Sequence, residues 1–206
     1  IGDELAYPRA ERLWYVADAF GVGMPLEEIF QHTKIDPWFL AQIKEIVDTE
    51  LKLEQRRVSL AMGIDLMEWT FDPLVAVNAR LNVRRLGVEV EEYIVNVYGD
   101  SVSPLHRGAP TDRFIALWRM RSPRVEAVLG GSGAPAGDGA WTDVPRVNGL
   151  GREGGWLVCA GCDLARSDPR LGVAIPPRFT DMLERQPETA RAWRMATREI
   201  FTAYLS

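Results

Sequence analysis

Apolar residues recur at helical spacing through the first third of the chain. Leu13, Val16, Ala17 and Phe20 fall on one face of a segment spanning residues 9–20, and Gly21 and Gly23 end it. Pro25 opens a second, shorter helix whose first turn carries Glu27 and Glu28, where the helix dipole favours negative charge. Asp36 followed by Pro37 is a restart signal, because a short carboxylate suits the N-cap and proline suits the first helical position. No proline or glycine follows until Gly63, so the pattern predicts one unbroken helix over residues 37–62. Trp14, Phe20, Trp38 and Phe39 stand at helical spacing and are expected in a core.

Beyond Gly63 the period changes. Residues 66–71 (LMEWTF) read as a strand broken by Asp72-Pro73, and residues 75–86 as a helix with Gly87 at its C-terminal cap. Tyr93, Val95 and Val97 alternate with polar neighbours as in a half-buried strand. Residues 113–121, 156–159 and 171–175 are further strand candidates, and residues 130–139 (GGSGAPAGDG) form a loop by composition. Residues 180–205 are helical, divided by Pro187. Helices alternating with strands predict an α/β sheet carrying packed helices, behind an all-helical N-terminal segment; the boundary is placed at residue 50.

Composition narrows the function classes. A net charge of −5 argues against nucleic acid or an anionic membrane as the main partner. No apolar run reaches the roughly 18 residues of a membrane-spanning helix, and the N-terminus lacks the pattern of a secretory signal. Two cysteines in 206 residues do not make a disulfide framework, so a cytoplasmic location is the expectation. Ile1 in place of Met, and an end inside a helical pattern at Ser206, suggest that both ends are cut.

Three motifs bear on chemistry. Residues 146–151 (RVNGLG) match a phosphate-loop pattern, but Pro145 precedes them and Gly154-Gly155 follow, where a helix would have to start; a surface turn is the expected outcome. Cys159 and Cys162 make a C-x-x-C without a second such pair, and His32 and His106 are both distant in sequence. Two small residues at a strand end are therefore expected in preference to a metal or redox centre. Asp72 leaves a strand end, where it could accept a proton from an attacking amine or cap the next helix; both remain open.

Two resemblances sharpen this reading. Residues 10–47, with LWYVADAF, TKIDPWFL and QIKEIV, closely resemble the oligomerisation domain of the carbamoyl-phosphate synthase large subunit, which implies packing and subunit contact without chemistry. Residues 51–118, with WTFDPL at 69–74, NARLN at 78–82 and PTDR at 110–113, resemble predicted acyltransferases of the GNAT superfamily, as does the tail, IPPRFTDML followed by AWRMATREIFTAYL. That second resemblance implies an incomplete GNAT-like α/β fold over residues 51–206, using acetyl-CoA or another acyl-CoA to acylate an amine or amino acid. Asp72 is then the catalytic candidate. Asn78 and Asn82, four apart on one helix face, would bind the pantetheine arm, and Arg85 a phosphate. Tyr98, Arg107 and Asp112 would frame the substrate, Arg107 gripping a carboxylate. LKLEQRRVSLAM (residues 51–62) would be the helix that follows the pyrophosphate loop, yet QIKEIVDTE precedes it with no glycine. The loop's backbone donors are thus absent, which weakens the expectation of acyl-CoA binding.

The leading expectation is an N-acyltransferase, inactive in this form if nothing replaces that loop. The alternatives are a non-catalytic assembly module, with a homo-oligomer built through the N-terminal helices, and a chimeric fragment derived from carbamoyl-phosphate synthase.

Overall fold

In the computed structural model, which describes residues 5–6, 12–99, 110–130 and 143–205, the long helix expected after Asp36 is present as one uninterrupted element. The chain divides into two units, Ile1–Asp65 and Leu66–Ser206.

The first unit contains α1 (Arg12–Gly21), α2 (Leu26–Thr33) and α3 (Pro37–Ala61). Asp36 caps α3 by accepting the Trp38 N–H at 2.8 Å, and Pro37 fills the position where no amide hydrogen is needed. Lys34 turns into the left-handed region (φ 53°) to end α2. The Arg12 guanidinium donates to the carbonyl of Thr33, joining the start of α1 to the end of α2. Val16, Ala19 and Phe20 of α1, Ile29 of α2, and Leu40 and Val47 of α3 form the core together with Leu5. Leu40, Ile43 and Val47 are spaced i, i+3, i+7, so one stripe of α3 faces inward.

The aromatic residues expected in this core are mostly outside it. Phe20 is buried, but Trp14 is 73% exposed, Trp38 69% and Phe39 41%. The reason is angular. Two residues along a helix turn about 200°, so Trp14 points away from the stripe that holds Val16, and Trp38 away from the one that holds Leu40.

The second unit is built on antiparallel pairs. Strand β1 (Leu66–Phe71) leads through Asp72 to α4 (Ala76–Ala79), which continues into a π-helical turn, Arg80–Arg85. Gly87 follows with φ 70°, where an added Cβ would lie 3.3 Å from the Cα of Val125. Strands β2 (Glu89–Ile94) and β3 (Arg113–Arg119) complete a sheet of order β1-β3-β2. Ser122 caps α5 (Pro123–Leu129), and β4 (Asn148–Glu153) and β5 (Trp156–Cys162) form a separate hairpin. Gly154 and Gly155 make its turn with φ of 54° and 83°, the double positive φ of a type I′ connection. Helices α6 (Phe179–Arg185) and α7 (Pro187–Leu205) end the unit, separated near Pro187 as the sequence indicates.

Helix α7 holds the pieces of this unit together. Its buried Trp193 donates to the carbonyl of Leu157 in β5 at 2.8 Å. Phe201 packs into a ring cluster with Tyr93 of β2 and Phe114 of β3, its centroid 4.7 Å from that of Phe114. Across the sheet, buried Trp118 donates to the carbonyl of Leu86 at 2.9 Å.

Several expectations are corrected here. The sheet is antiparallel throughout, so its strand ends alternate and there is no common C-terminal edge of the kind that binds ligands in open parallel sheets. Strand β2 ends at Ile94, because Asn96 takes φ 50° and residues 95–98 turn. Residues 171–175 form no strand; a single bridge joins Arg146 to Gly172. The Asn148 side chain takes the place of a ladder there, bonding the N–H and C=O of Ala174 at 2.8 and 2.9 Å. Residues 148–151 of the phosphate-loop match belong to β4 and are followed by a turn and another strand, not by a helix. The loop expected at residues 130–139 lies, but for Gly130, outside the described residues. Among the described residues, no helix is long and apolar enough to cross a membrane.

Candidate functional site

Two carboxylates meet three arginines where α7 packs beside the sheet, two of them from α7 itself. In the β1–β3 register Phe71 faces Phe114, so the residue leaving β1, Asp72, comes beside those entering β3, Asp112 and Arg113. Arg194 and Arg198 are four apart on α7 and so project from one face toward these carboxylates.

Asp112 is fully buried and fully engaged. It accepts from the Tyr93 hydroxyl at 2.5 Å, the Asn96 N–H at 2.9 Å, and the Arg198 Nε and Nη2 at 3.0 and 2.8 Å. Burial by itself pushes its carboxyl up, but Arg198, Tyr93 and the Asn96 amide outweigh burial and hold it below the ordinary carboxylate range. Burial, followed by the bond to Asp112 and the charge on it, pushes the Tyr93 hydroxyl well above its ordinary value.

Asp72 divides its oxygens. Oδ1 accepts the Leu74 N–H at 2.9 Å, which opens the turn into α4. Oδ2 accepts from Arg194 Nη2 at 2.5 Å and lies 3.4 Å from Arg113 Nη1. The Arg194 side chain is 2% exposed, and its guanidinium lies 5.0 Å from the Phe179 ring centroid. Its Nε and Nη1 are buried without a hydrogen-bond partner among the described residues. Arg113 also donates to the Asp112 carbonyl at 2.9 Å and stacks over Tyr98 at 5.4 Å.

Of the candidates drawn from the sequence, Asp72, Asp112 and Tyr98 therefore converge, joined through Arg113. The others are dispersed. Asn82 is buried in the π-helical turn and accepts from the Trp69 indole at 3.2 Å. Asn78 is half-buried on α4, and Arg85 is exposed at the end of the π-helical turn. Arg107 lies outside the described residues. Sequence reasoning missed Tyr93, Arg194 and Arg198. The signal was present in RAWRMATREIF (residues 191–201), where Arg194 and Arg198 share a helix face with buried Thr197 and Phe201. Among the described residues, no group of three or more His, Cys, Asp or Glu is arranged to hold a metal.

Asn82 also supplies a local test. Asn82→Ala should cost about 1–3 kcal/mol by leaving the Trp69 N–H without its acceptor, and urea denaturation followed by tryptophan fluorescence would measure it. Asn82→Asp, which keeps the acceptor oxygen, should retain more of that bond.

Comparison with known proteins finds similarity in the first unit. Residues 1–68 match the family described as carbamoyl-phosphate synthetase large chain, oligomerisation domain. The carbamoyl phosphate synthase large chain of Pseudomonas syringae pv. tomato is 55% identical over 64 residues, 31% of this chain and 6% of that one. That of Haemophilus ducreyi is 57% identical over 56 residues, 27% of this chain and 5% of its own. The Ralstonia nicotianae protein is 40% identical over 63 residues, again 31% and 6%. The chain thus spans about 6% of the length of the curated relatives it matches. No solved structure matches it.

These matches overturn the acyltransferase expectation. The matched family is an oligomerisation domain, and the match runs through residues 51–68, where the GNAT resemblance begins. The geometry agrees. Residues 51–61 continue α3 without interruption, so no helix N-terminus stands at Leu51 with free N–H groups to cradle a pyrophosphate.

Proposed function

We propose that the chain is a non-catalytic assembly module, in which the three-helix unit self-associates and the α+β unit is a platform carried with it. The observation that carries this reading is the match of residues 1–68 to an oligomerisation domain. Its physical counterpart is the set of large apolar side chains that the helices leave in solvent, among them Trp14, Trp38 and Ile46 at 73%, 69% and 67% exposure. Exposed aromatics on a rigid helix surface are the residues that anchor protein interfaces. An open groove within the unit sets apolar Val22, Val47, Leu51 and Leu53 beside charged Asp18, Glu50, Glu54 and Arg57. In the second unit both carboxylates are matched with guanidinium, which suits a device for docking α7.

Sedimentation velocity on the full chain between about 1 and 100 μM tests this reading. A dimer or larger species is expected. Trp14→Ser with Trp38→Ser should raise the dissociation constant at least about tenfold, equivalent to about 1.4 kcal/mol. A monomer throughout the concentration range would refute the proposal.

A further inference from the structure

The C-x-x-C pair lies on β5, where residues three apart ordinarily point to opposite faces of a sheet, because strand side chains alternate with a period of two. Here they do not. Asn148 pairs with Cys162 and Leu150 with Cys159, so two residues of β4 are matched by three of β5, and the register shifts between them. The extra residue in β5 is a β-bulge, and Gly161 carries it with φ 106°, a conformation that L side chains rarely adopt. A bulge of one residue returns Cys162 to the face of Cys159. The sulfurs consequently lie 3.8 Å apart, in van der Waals contact and unbonded. A two-residue advance along a strand spans about 6.6 Å, inside the roughly 4.4–6.8 Å Cα separation that a disulfide bridges. Both cysteines are half-buried, and so within reach of a small reagent.

We propose that Cys159 and Cys162 form a reversible dithiol–disulfide site that exchanges with low-molecular-weight disulfides, oxidised glutathione being the probe. Cys159 is the entry thiol. Its sulfur lies 3.8 Å from the Asn148 Nδ2, which donates to it, and 3.8 Å from the Gly161 carbonyl within the bulge. Burial, the hydrogen bond with Cys159 and the Glu199 charge push the Cys162 thiol up to about 11, which leaves it protonated while Cys159 reacts. The Cys159 thiolate attacks one sulfur of oxidised glutathione, forming a mixed disulfide and expelling glutathione thiolate, which takes up the proton lost by Cys159. Cys162 then gives up its proton and attacks the Cys159 sulfur, and a second glutathione leaves carrying that proton. In sum, two cysteine thiols are oxidised to cystine while one oxidised glutathione is reduced to two thiols. The protein contributes the bulge, which makes the second step intramolecular.

The test is incubation of the full chain with oxidised glutathione under anaerobic conditions, followed by intact mass and thiol titration. The expected product carries no disulfide between chains, has lost both thiols, and is lighter by the two thiol hydrogens with no glutathione retained. Cys162→Ser should stop at a stable glutathione adduct on Cys159. Gly161→Ala, which strains the bulge, should slow ring closure at least about tenfold, so that the mixed disulfide accumulates. A lasting glutathione adduct on the unmodified chain, an unreacted chain, a cystine formed only between two chains, or closure at the unmodified rate in Gly161→Ala would each overturn the proposal.

Discussion

Asp112→Ala is expected to destabilise the second unit by about 3–5 kcal/mol, the usual cost of stripping one partner from a buried ion pair. The carboxylate has no exposed surface and satisfies a guanidinium, a tyrosine hydroxyl and a backbone amide at once. Its removal leaves the Arg198 charge and the Tyr93 hydroxyl facing a cavity. Urea denaturation read by tryptophan fluorescence is suited to the measurement: Trp118 and Trp193 are buried in this unit, whereas Trp14 and Trp38 of the first are already in solvent. A loss below about 1 kcal/mol would place this pair among exposed ion pairs, which contribute little. The pH dependence supplies a second check. The Asp112 carboxyl is held below its ordinary value in the folded state, so the unfolded chain binds that proton more tightly. Its contribution is complete above the unfolded value near pH 4 and disappears as the pH falls through the lower folded value. Asp112→Asn should lack that acid-side loss. Tyr93 has the opposite sign: its raised value keeps the proton on in the folded state, so its contribution holds below about pH 10 and is lost as the pH rises further. Tyr93→Phe should remove the alkaline component and also shrink the acid-side one, because the hydroxyl is among the groups that hold the Asp112 carboxyl down.

The second large effect is at Asp72. The Arg194 side chain is almost fully buried, has two nitrogens without partners, and among the described residues hydrogen-bonds only to Asp72. Asp72→Ala therefore leaves a guanidinium unpaired in the interior, at an expected cost of about 3–5 kcal/mol, and removes the acceptor for the Leu74 N–H as well. The informative variant is the double one. Arg194→Met replaces the charge with an apolar chain of similar length beside Phe179, so Asp72→Ala with Arg194→Met should be more stable than Asp72→Ala alone, by about 1–3 kcal/mol. Equal stability of the two would mean that Asp72 acts mainly through its turn, and the burial cost assigned to Arg194 would be wrong. Because α7 is the element fastened by both pairs, hydrogen exchange in Asp72→Ala should accelerate along α7 and β5 before it accelerates in β1 and β3.

The same residues show what was readable in advance. Asp36-Pro37 and the absence of any later breaker are local signals, and they predicted α3 correctly because capping and helix continuity depend on neighbours within a turn. Strand β1 was legible over its full length for the same reason, bounded by Gly63 and by Asp72-Pro73. The oligomerisation-domain resemblance was equally local, carried by contiguous words such as LWYVADAF. The aromatics of the first unit were misread because spacing alone says which residues share a face, not which face is buried.

What the sequence by itself determined was the long helix α3, strand β1, the helical nature of the first unit and its resemblance to an oligomerisation domain. What only the tertiary structure decided was partnership across long separations. Asp72 and Arg194 are 122 residues apart, and Asp112 and Arg198 are 86 apart, so no window along the chain could pair them. Their meeting depends on β1 and β3 being antiparallel, which brings the end of one to the start of the other, and on α7 crossing that point with its arginines one turn apart. The C-x-x-C shows the same division at shorter range. Four letters supplied two thiols, but strand periodicity would have set them on opposite faces. A bulge that exists only when β4 pairs with β5 puts the two sulfurs side by side.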